Sequence, residues 1–507
     1  MSMPENSRHW GRRGFIGGLG AGTAGLIAGA VGSAAPAAAA TPGAVAWNAF
    51  YVDATPGVTD VQVQAALDAA RAAKGGQVSI GPGQVTLTKY LRIYANTRLT
   101  LSPGTVVTRS GANLKFMLMN GTQLGGGDAH DDQIAGYEGY GNIIVEGGVW
   151  DVAGPLATDP TLGYNGLQFV HARNITVQDL EVRNVTNWHA IKFQGVSNGT
   201  VRNCRFIGYR PADPAVPVTD PKNPPRRNIS EAISLDLCWT GTAPGTNNTL
   251  IGVADNTSCA DIRILDNHCD AAPWEPGSGY PVFTGSHSGA LGAWQQRVEI
   301  SGNTVLNTTN MGIYPLGSNQ LVITNNRLHG CFGGIRVIFD GSNAVQPQPH
   351  PVWDFVVSGN TVDATTDERG IDIVGGGTDT SQTPAVPATA ARAVITGNLV
   401  DGAKREGIHV FGAPDALITG NLVANVTVSP NSGVAGNGIS VQNSTGANVT
   451  GNTVRHCDGY GVVVFESPAG ASANGLITAN SVSGTKLTPI SVPATAVNVV
   501  STGNLTF

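Results

Sequence analysis

Ile300-Ser301-Gly302-Asn303, Val357-Ser358-Gly359-Asn360, Ile395-Thr396-Gly397-Asn398, Ile418-Thr419-Gly420-Asn421 and Val449-Thr450-Gly451-Asn452 are copies of one short phrase, and Ser501-Thr502-Gly503-Asn504 repeats it near the end. Asn267, Asn326 and Asn480 fit the same column. About ten residues after most of these asparagines comes a second phrase, seen at Gly312-Ile313, Gly334-Ile335, Gly370-Ile371, Gly407-Ile408 and Gly461-Val462. Each repeat therefore carries at least two strands. The shortest steps between asparagines are 23 residues, from 303 to 326 and from 398 to 421, and longer steps read as the same unit with a loop inserted. A unit this short cannot bury its own apolar face, so copies must stack.

Stacked units of this length make coils whose strands pair in parallel about 4.8 Å apart. The fold expected is all-β: a right-handed parallel β-helix of ten or more coils. Leucine-rich repeats would show a leucine lattice, and propeller blades would be about 40 residues long with a recurrent aromatic signature; neither is present. The asparagines are expected to be structural, because asparagine tolerates left-handed backbone and stacked amides hydrogen-bond one another.

Composition agrees. Only 13% of residues are charged and 6% aromatic, and 68 are glycine, which suits strands and tight turns. Ahead of the coils, residues 59–74 form an amphipathic stretch with Thr59 or Asp60 as N-cap and Val61, Ala65, Leu67 and Ala69 on or near one face. It predicts a helix that caps the N-terminal end of the solenoid. No comparable cap follows Asn504, so that end is expected to be exposed or paired with another subunit.

Residues 1–40 are set apart. Arg12-Arg13-Gly14-Phe15-Ile16 precedes a Gly/Ala-rich apolar run ending in Ala35-Pro36-Ala37-Ala38-Ala39-Ala40, the form of a twin-arginine export signal. The organisation expected is this signal followed by a single β-helix domain over 41–507. Removing the signal leaves 26 basic and 34 acidic residues, a net charge of −8. That balance argues against a nucleic-acid partner, and no later stretch is long and apolar enough for a membrane span. The six cysteines lack CxxC spacing, which argues against zinc, and Cys238 with Cys259 brackets an insertion as the first disulfide to test.

Gly75-Gly76-Gln77-Val78-Ser79-Ile80-Gly81-Pro82-Gly83, Leu99-Thr100-Leu101-Ser102-Pro103-Gly104 and Gly141-Asn142-Ile143-Ile144-Val145-Glu146-Gly147-Gly148-Val149-Trp150 resemble the opening coils of the pectin-lyase-like superfamily, over roughly residues 45–507. That resemblance implies the fold and an extracellular carbohydrate substrate, not a reaction. The polygalacturonase motifs Asn-Thr-Asp, Asp-Asp, Gly-His-Gly and Arg-Ile-Lys are missing from the corresponding strands, and Gly334-Ile335-Arg336 is only a partial echo. His189-Ala190-Ile191, Glu231-Ala232-Ile233-Ser234-Leu235-Asp236 and Gly285-Ser286-His287-Ser288 are instead similar to segments of a group of bacterial β-helix proteins.

Aligning the second strand of each coil on its central apolar residue puts positions +1 and +3 outside. The +1 column reads Lys192, Ser234, Gly292, Tyr314, Arg336, Asp372, His409, Ser440, and the +3 column reads Gln194, Asp236, Trp294, Leu316, Ile338, Val374, Phe411. Chargeable residues concentrate between 189 and 340, beside insertions at 211–228, 239–260 and 271–288. Catalytic candidates are Glu231, Asp236, His287, His189 and Arg336; substrate-binding candidates are Lys192, Tyr314, Trp294, Trp188, Arg226 and Arg227. Trp239 and Trp274 are further candidates for stacking on sugar rings. The expected protein is an extracellular polysaccharide-active enzyme. Hydrolysis, in which one carboxyl protonates the leaving oxygen and another activates water or attacks, precedes β-elimination from a uronate; a non-catalytic glycan-binding rail is the second class, and an epimerase or isomerase acting on polymeric uronate is the third. Glu231 and Asp236 lie about 16 Å apart on an extended strand, so a loop carboxylate such as Asp270 or Glu275 would have to complete a hydrolytic pair. Hydrolysis needs no cofactor; a lyase would admit Ca2+.

Overall fold

In the computed structural model the described residues are 48–110, 116–121, 133–153, 164–210, 230–238, 252–273, 278–286, 293–338, 353–375, 391–429, 431, 433, 435–465 and 472–507. The repeats wind into coils as expected. One coil runs through strands Gln295–Ser301, Thr304–Leu306 and Met311–Tyr314, and these pair in parallel with Ser318–Thr324, Arg327–His329 and Gly333–Ile338 of the next. The coil thus has three faces. The first sheet precedes each ladder asparagine, the second follows it, and the third carries the Gly-Ile phrase.

Alternation along each strand sends one set of side chains into a continuous core. Val298, Ile300, Val305 and Ile313 of this coil are buried there, as are Leu321, Ile323, Leu328 and Ile335 of the next. On the third sheet the Gly-Ile phrase breaks strict alternation, because both residues face inward. A Cβ on Gly370 would sit 2.3 Å from Val400 Cγ1, and one on Gly407 would sit 2.2 Å from Val423 Cγ1. Ala190 and Ala232 fill the same inward position in earlier coils. The residue before that position, and those at +1 and +3, consequently face outward.

The asparagines form a buried ladder. Nδ2 of Asn267 donates to Oδ1 of Asn303, and the chain continues through Asn326, Asn360, Asn398, Asn421, Asn452, Asn480 and Asn504 at 2.9–3.0 Å per step. The left-handed backbone expected at these residues falls one position earlier, at Gly302, Gly359, Gly397, Gly420, Gly451 and Gly503 and at Asp266, Asn325 and Ala479. The turn and the amide stack are thus divided between neighbours. A second, exposed stack, Asn96, Asn142, Asn174 and Asn198, combines both roles in one residue.

The helix spans Asp60–Ala72, capped by Thr59 with Gln62 completing a capping box. Its buried face is Val63, Ala66, Leu67 and Ala70, the i, i+3, i+4, i+7 set. The face expected from the sequence was rotated: Val61 is 67% exposed. Polar contacts lock the helix to the first coils, with Asp60 accepting from Thr88 N and Gln64 exchanging hydrogen bonds with the Arg92 backbone. All six cysteines are free and buried, so Cys238 and Cys259 form no disulfide. Among the described residues no helix is long and apolar enough to cross a membrane. The export segment lies outside the described residues.

Candidate functional site on the third sheet

The outer face of the third sheet carries chemistry at almost every coil. Strand pairing aligns Gln168, Lys192, Ser234, Gly285 and Tyr314, and then Arg336, Asp372, His409 and Ser440. Eight steps of about 4.8 Å make a rail about 38 Å long. One rung differs from the sequence reading. The strand of its coil is Val282–Gly285, with Thr284 paired to Ile233 and Ile313. Gly285 therefore takes the rung that the sequence reading gave to Gly292, which lies outside the described residues. Trp294, placed on the outer face by the same misalignment, is 9% exposed and packs in the core beside the first sheet.

Two ion pairs open the rail. Ala232, Ile233 and Leu235 belong to the core, which turns Glu231, Ser234 and Asp236 outward. Glu231 Oε2 lies 3.2 Å from His189 Nδ1 of the preceding coil, and Asp236 Oδ2 lies 2.9 Å from Lys192 Nζ. The Glu231 N–H also points to His189 Nδ1 at 3.3 Å, so this ring nitrogen accepts or donates according to its protonation. Both carboxyl groups are screened from water, at 1% and 0% exposure. Between Lys192 and Tyr314 the column carries only the small residues Ser234 and Gly285, both buried. The Ser234 hydroxyl is buried and has no hydrogen-bond partner among the described residues. Trp188, beside His189, is 36% exposed.

Tyr314 and Arg336 close this stretch. Burial pushes the pKa of the Tyr314 phenol up, with Arg336 opposing and Asp372 and Glu231 adding to the rise. Beyond them the sequence reading missed a charged lattice. Arg336 Nε donates to Asp372 Oδ2 at 2.6 Å, His409 Nδ1 lies 2.8 Å from Asp372 Oδ1, Arg369 meets Glu406 at 2.7 Å, and Arg405 meets Glu368 at 2.7 Å. Burial works against the charge of Asp372, yet Arg369, Arg336 and His409 hold its carboxyl well below the ordinary range. The signal was present in the sequence. Glu368-Arg369-Gly370-Ile371 and Arg405-Glu406-Gly407-Ile408 occupy the same position with the charges reversed.

Other candidates fall elsewhere. Asp270 lies on the second sheet, where it accepts from Ala271 N and Asn307 Nδ2, and cannot serve as partner to Glu231. His287, Arg226, Arg227, Trp239, Trp274 and Glu275 lie outside the described residues. The insertion after Cys238 returns at residues 252–258 to meet residues 133–137 over the N-terminal end of the rail. Val253 N donates to Ile134 O, Gly136 N to Asp255 Oδ2, and Tyr137 Oη to Ser258 O. His171, Cys238 and Asp255 bring potential ligand atoms within 4.8 Å of one another there. Both His171 nitrogens already face carbonyl oxygens, Gly136 O at 2.7 Å and Val253 O at 2.8 Å, so the ring directs no lone pair at an ion.

A family model for the right-handed β-helix region matches residues 246–421 and 380–507, which together exceed half of the chain. Solved structures with similar coils include the surface adhesin PfbA of Streptococcus pneumoniae, at 16% identity and a TM-score of 0.54, covering 88% of this chain and 87% of that one. The A-module of the Azotobacter vinelandii mannuronan C-5 epimerase AlgE6 matches at 15% identity and 0.50, covering 88% and 95%. A variant tailspike protein of E. coli bacteriophage HK620, solved with a pentasaccharide, matches at 14% identity and 0.54, covering 87% and 76%. At such identities each shows a shared fold and nothing about reaction.

Proposed function

From the premise that the chain belongs to the right-handed β-helix family, we propose that it is an exported enzyme acting on a polysaccharide laid along the outer face of its third sheet. One observation carries the reading. In a chain with few charges, ionisable groups gather on one outer face, with Glu231 beside His189 and Asp236 beside Lys192 ahead of Ser234 and Gly285, and Tyr314 and Arg336 after them. Packing alone gives no reason to gather them there, because buried ion pairs contribute little net stability.

The geometry favours β-elimination from a uronate over hydrolysis. Glycosidase carboxyl groups stand about 5–9.5 Å apart, whereas Glu231 and Asp236 end one strand with about 16 Å of extended chain between them. Asp236 also faces the Lys192 ammonium and Glu231 the His189 ring, which suits partners that orient other groups better than a proton donor. Elimination uses the other groups. His189, oriented by Glu231 through Nδ1, takes the proton beside the sugar carboxylate at Nε2. Those electrons form the new carbon–carbon double bond, the glycosidic carbon–oxygen bond breaks, and Tyr314 gives its proton to the departing oxygen. Arg336 and Lys192 bind the uronate carboxylate and offset its growing charge. Trp188 offers a ring face to a neighbouring sugar.

The test is a panel of acidic and neutral polysaccharides, incubated with the protein with Ca2+ and with chelator. Ultraviolet absorbance of an unsaturated uronate, lost in His189→Ala and Tyr314→Phe, is the expected result. New reducing ends without that absorbance would move the assignment to hydrolysis, and binding without any product would make the rail a passive one.

A further inference from the structure

Arg336 stands on the rail between Tyr314 and the charged lattice. On one side its strand neighbour is Tyr314, since Ile313 pairs with Ile335. On the far side its Nε–H reaches Asp372 Oδ2 at 2.6 Å and an Nη2 hydrogen reaches Glu368 Oε2 at 3.2 Å. A guanidinium on a flexible stem is otherwise free to turn; with two donors fixed on carboxylates on one side, only one edge is left to face Tyr314.

Asp372 is the centre of that arrangement. It is fully buried, and it serves two guanidiniums and an imidazole, since Arg369 Nη1 lies 3.3 Å from Oδ2 and His409 Nδ1 lies 2.8 Å from Oδ1. Its own direction is set in turn. Arg369 is held by Glu406, and Glu368 is held by Arg405, through the reversed charge pairs of adjacent coils. A carboxylate gripped from three sides cannot follow a moving substrate, but it can fix the groups that meet one.

We infer that Asp372 is a positioning residue: it aims Arg336 at Tyr314 and fixes His409 with its proton on Nδ1, so that this stretch of the rail is rigid before substrate arrives. The inference rests on the reading of Tyr314 and Arg336 as site residues. It assigns the lattice a role in preorganisation, in which supporting shells hold reactive groups to productive geometry.

The experiment uses the full chain labelled with nitrogen-15 at arginine and histidine, as wild type, Asp372→Asn, Asp372→Glu and a remote control, Glu299→Gln on the first sheet. In Asp372→Asn the Arg336 Nε–H should exchange with solvent on the order of tenfold faster and the Nδ1–H signal of His409 should be lost. Turnover should fall on the order of 10- to 100-fold, the scale of misplaced reactive groups. Asp372→Glu should restore part of both, and Glu299→Gln neither loss. If Asp372→Asn does not fold, the double variant Arg369→Gln/Asp372→Asn, which removes one charge of each sign, replaces it. Unchanged nitrogen signals would overturn the inference. So would wild-type turnover in Asp372→Asn when Arg336→Lys and Tyr314→Phe are inactive. Wild-type turnover in those last two variants would instead overturn the functional reading, and the nitrogen signals alone would then decide what Asp372 does.

Discussion

Two columns of side chains run along this solenoid, and they differ in one respect. The inner column repeats asparagine at each of its rungs from Asn267 to Asn504, each amide donating to the next. The outer column of the third sheet changes at nearly every step, from Lys192 through Ser234, Gly285 and Tyr314 to Arg336, Asp372 and His409. A repeated residue solves a problem that every coil has, namely how to satisfy turn amides where no water reaches. A residue that appears once solves a problem that only one place has. The distinction separates scaffold from site without any ligand in view, and it can be attacked from both sides.

The largest expected effect is on the outer column. Glu231→Gln removes the charge that orients His189, and turnover should drop on the order of 100-fold or more while the far-ultraviolet spectrum and coil stacking persist. Steady-state rates on whichever polysaccharide yields product provide the measurement; an active Glu231→Gln would detach this strand from the chemistry. The inner column should respond in the opposite sense. Asn360 donates to Ile323 O and Asn398 Oδ1 and accepts from both N and Nδ2 of Asn326. Asn360→Ala strands several buried groups at about 1–3 kcal/mol each. A loss of roughly 3 kcal/mol or more in urea unfolding is expected, with kcat of the folded protein little changed.

The same contrast explains what could be read from the sequence. The inner column was legible because repetition is visible without structure, and the strands, coil length and helix followed from it. Most of the outer column was legible too, since period-two alternation carries over from coil to coil. It failed at one coil, where Val282-Phe283-Thr284-Gly285 puts threonine in the slot that other coils fill with isoleucine, leucine or valine. Leu291 took that slot in the sequence reading and drew Trp294 onto the wrong surface. The lattice was missed for a different reason. Glu368, Arg369, Arg405 and Glu406 precede the Gly-Ile phrase, and only the inward turn of both its residues puts them on the outer face. What a pattern cannot carry is distance: nothing in the sequence says that one aspartate serves Arg336, Arg369 and His409 together.

A pH dependence follows from that aspartate. The folded carboxyl of Asp372 lies below its ordinary 3.8, so the unfolded chain takes up this proton first as pH falls. The stabilisation is therefore complete above the unfolded value and is lost as pH drops through the folded one. Urea midpoints should decline between about pH 5 and pH 3 more steeply in wild type than in Asp372→Asn. Parallel declines would mean that other carboxylates govern the acid limb and that the lattice adds nothing special.

The smallest effects separate two kinds of glycine. Gly370 faces the core, where a Cβ would press on Val400 Cγ1 at 2.3 Å and Gly407 O at 2.6 Å, and Gly370→Ala should cost about 1–3 kcal/mol through overpacking. Gly397 precedes a ladder asparagine with φ +62 and has nothing within 4 Å of an added Cβ. Only the left-handed backbone opposes a side chain there, about 1–2 kcal/mol for alanine and less for asparagine. The protein itself already places Asp266, Asn325 and Ala479 at the equivalent turn. Gly397→Asn should therefore unfold at nearly the wild-type urea midpoint, with Gly397→Ala slightly below it. A Gly397→Asn variant as damaged as Asn360→Ala would mean that the turn and the amide ladder form one inseparable unit, and that the inner column owes its regularity to backbone shape as much as to hydrogen bonding.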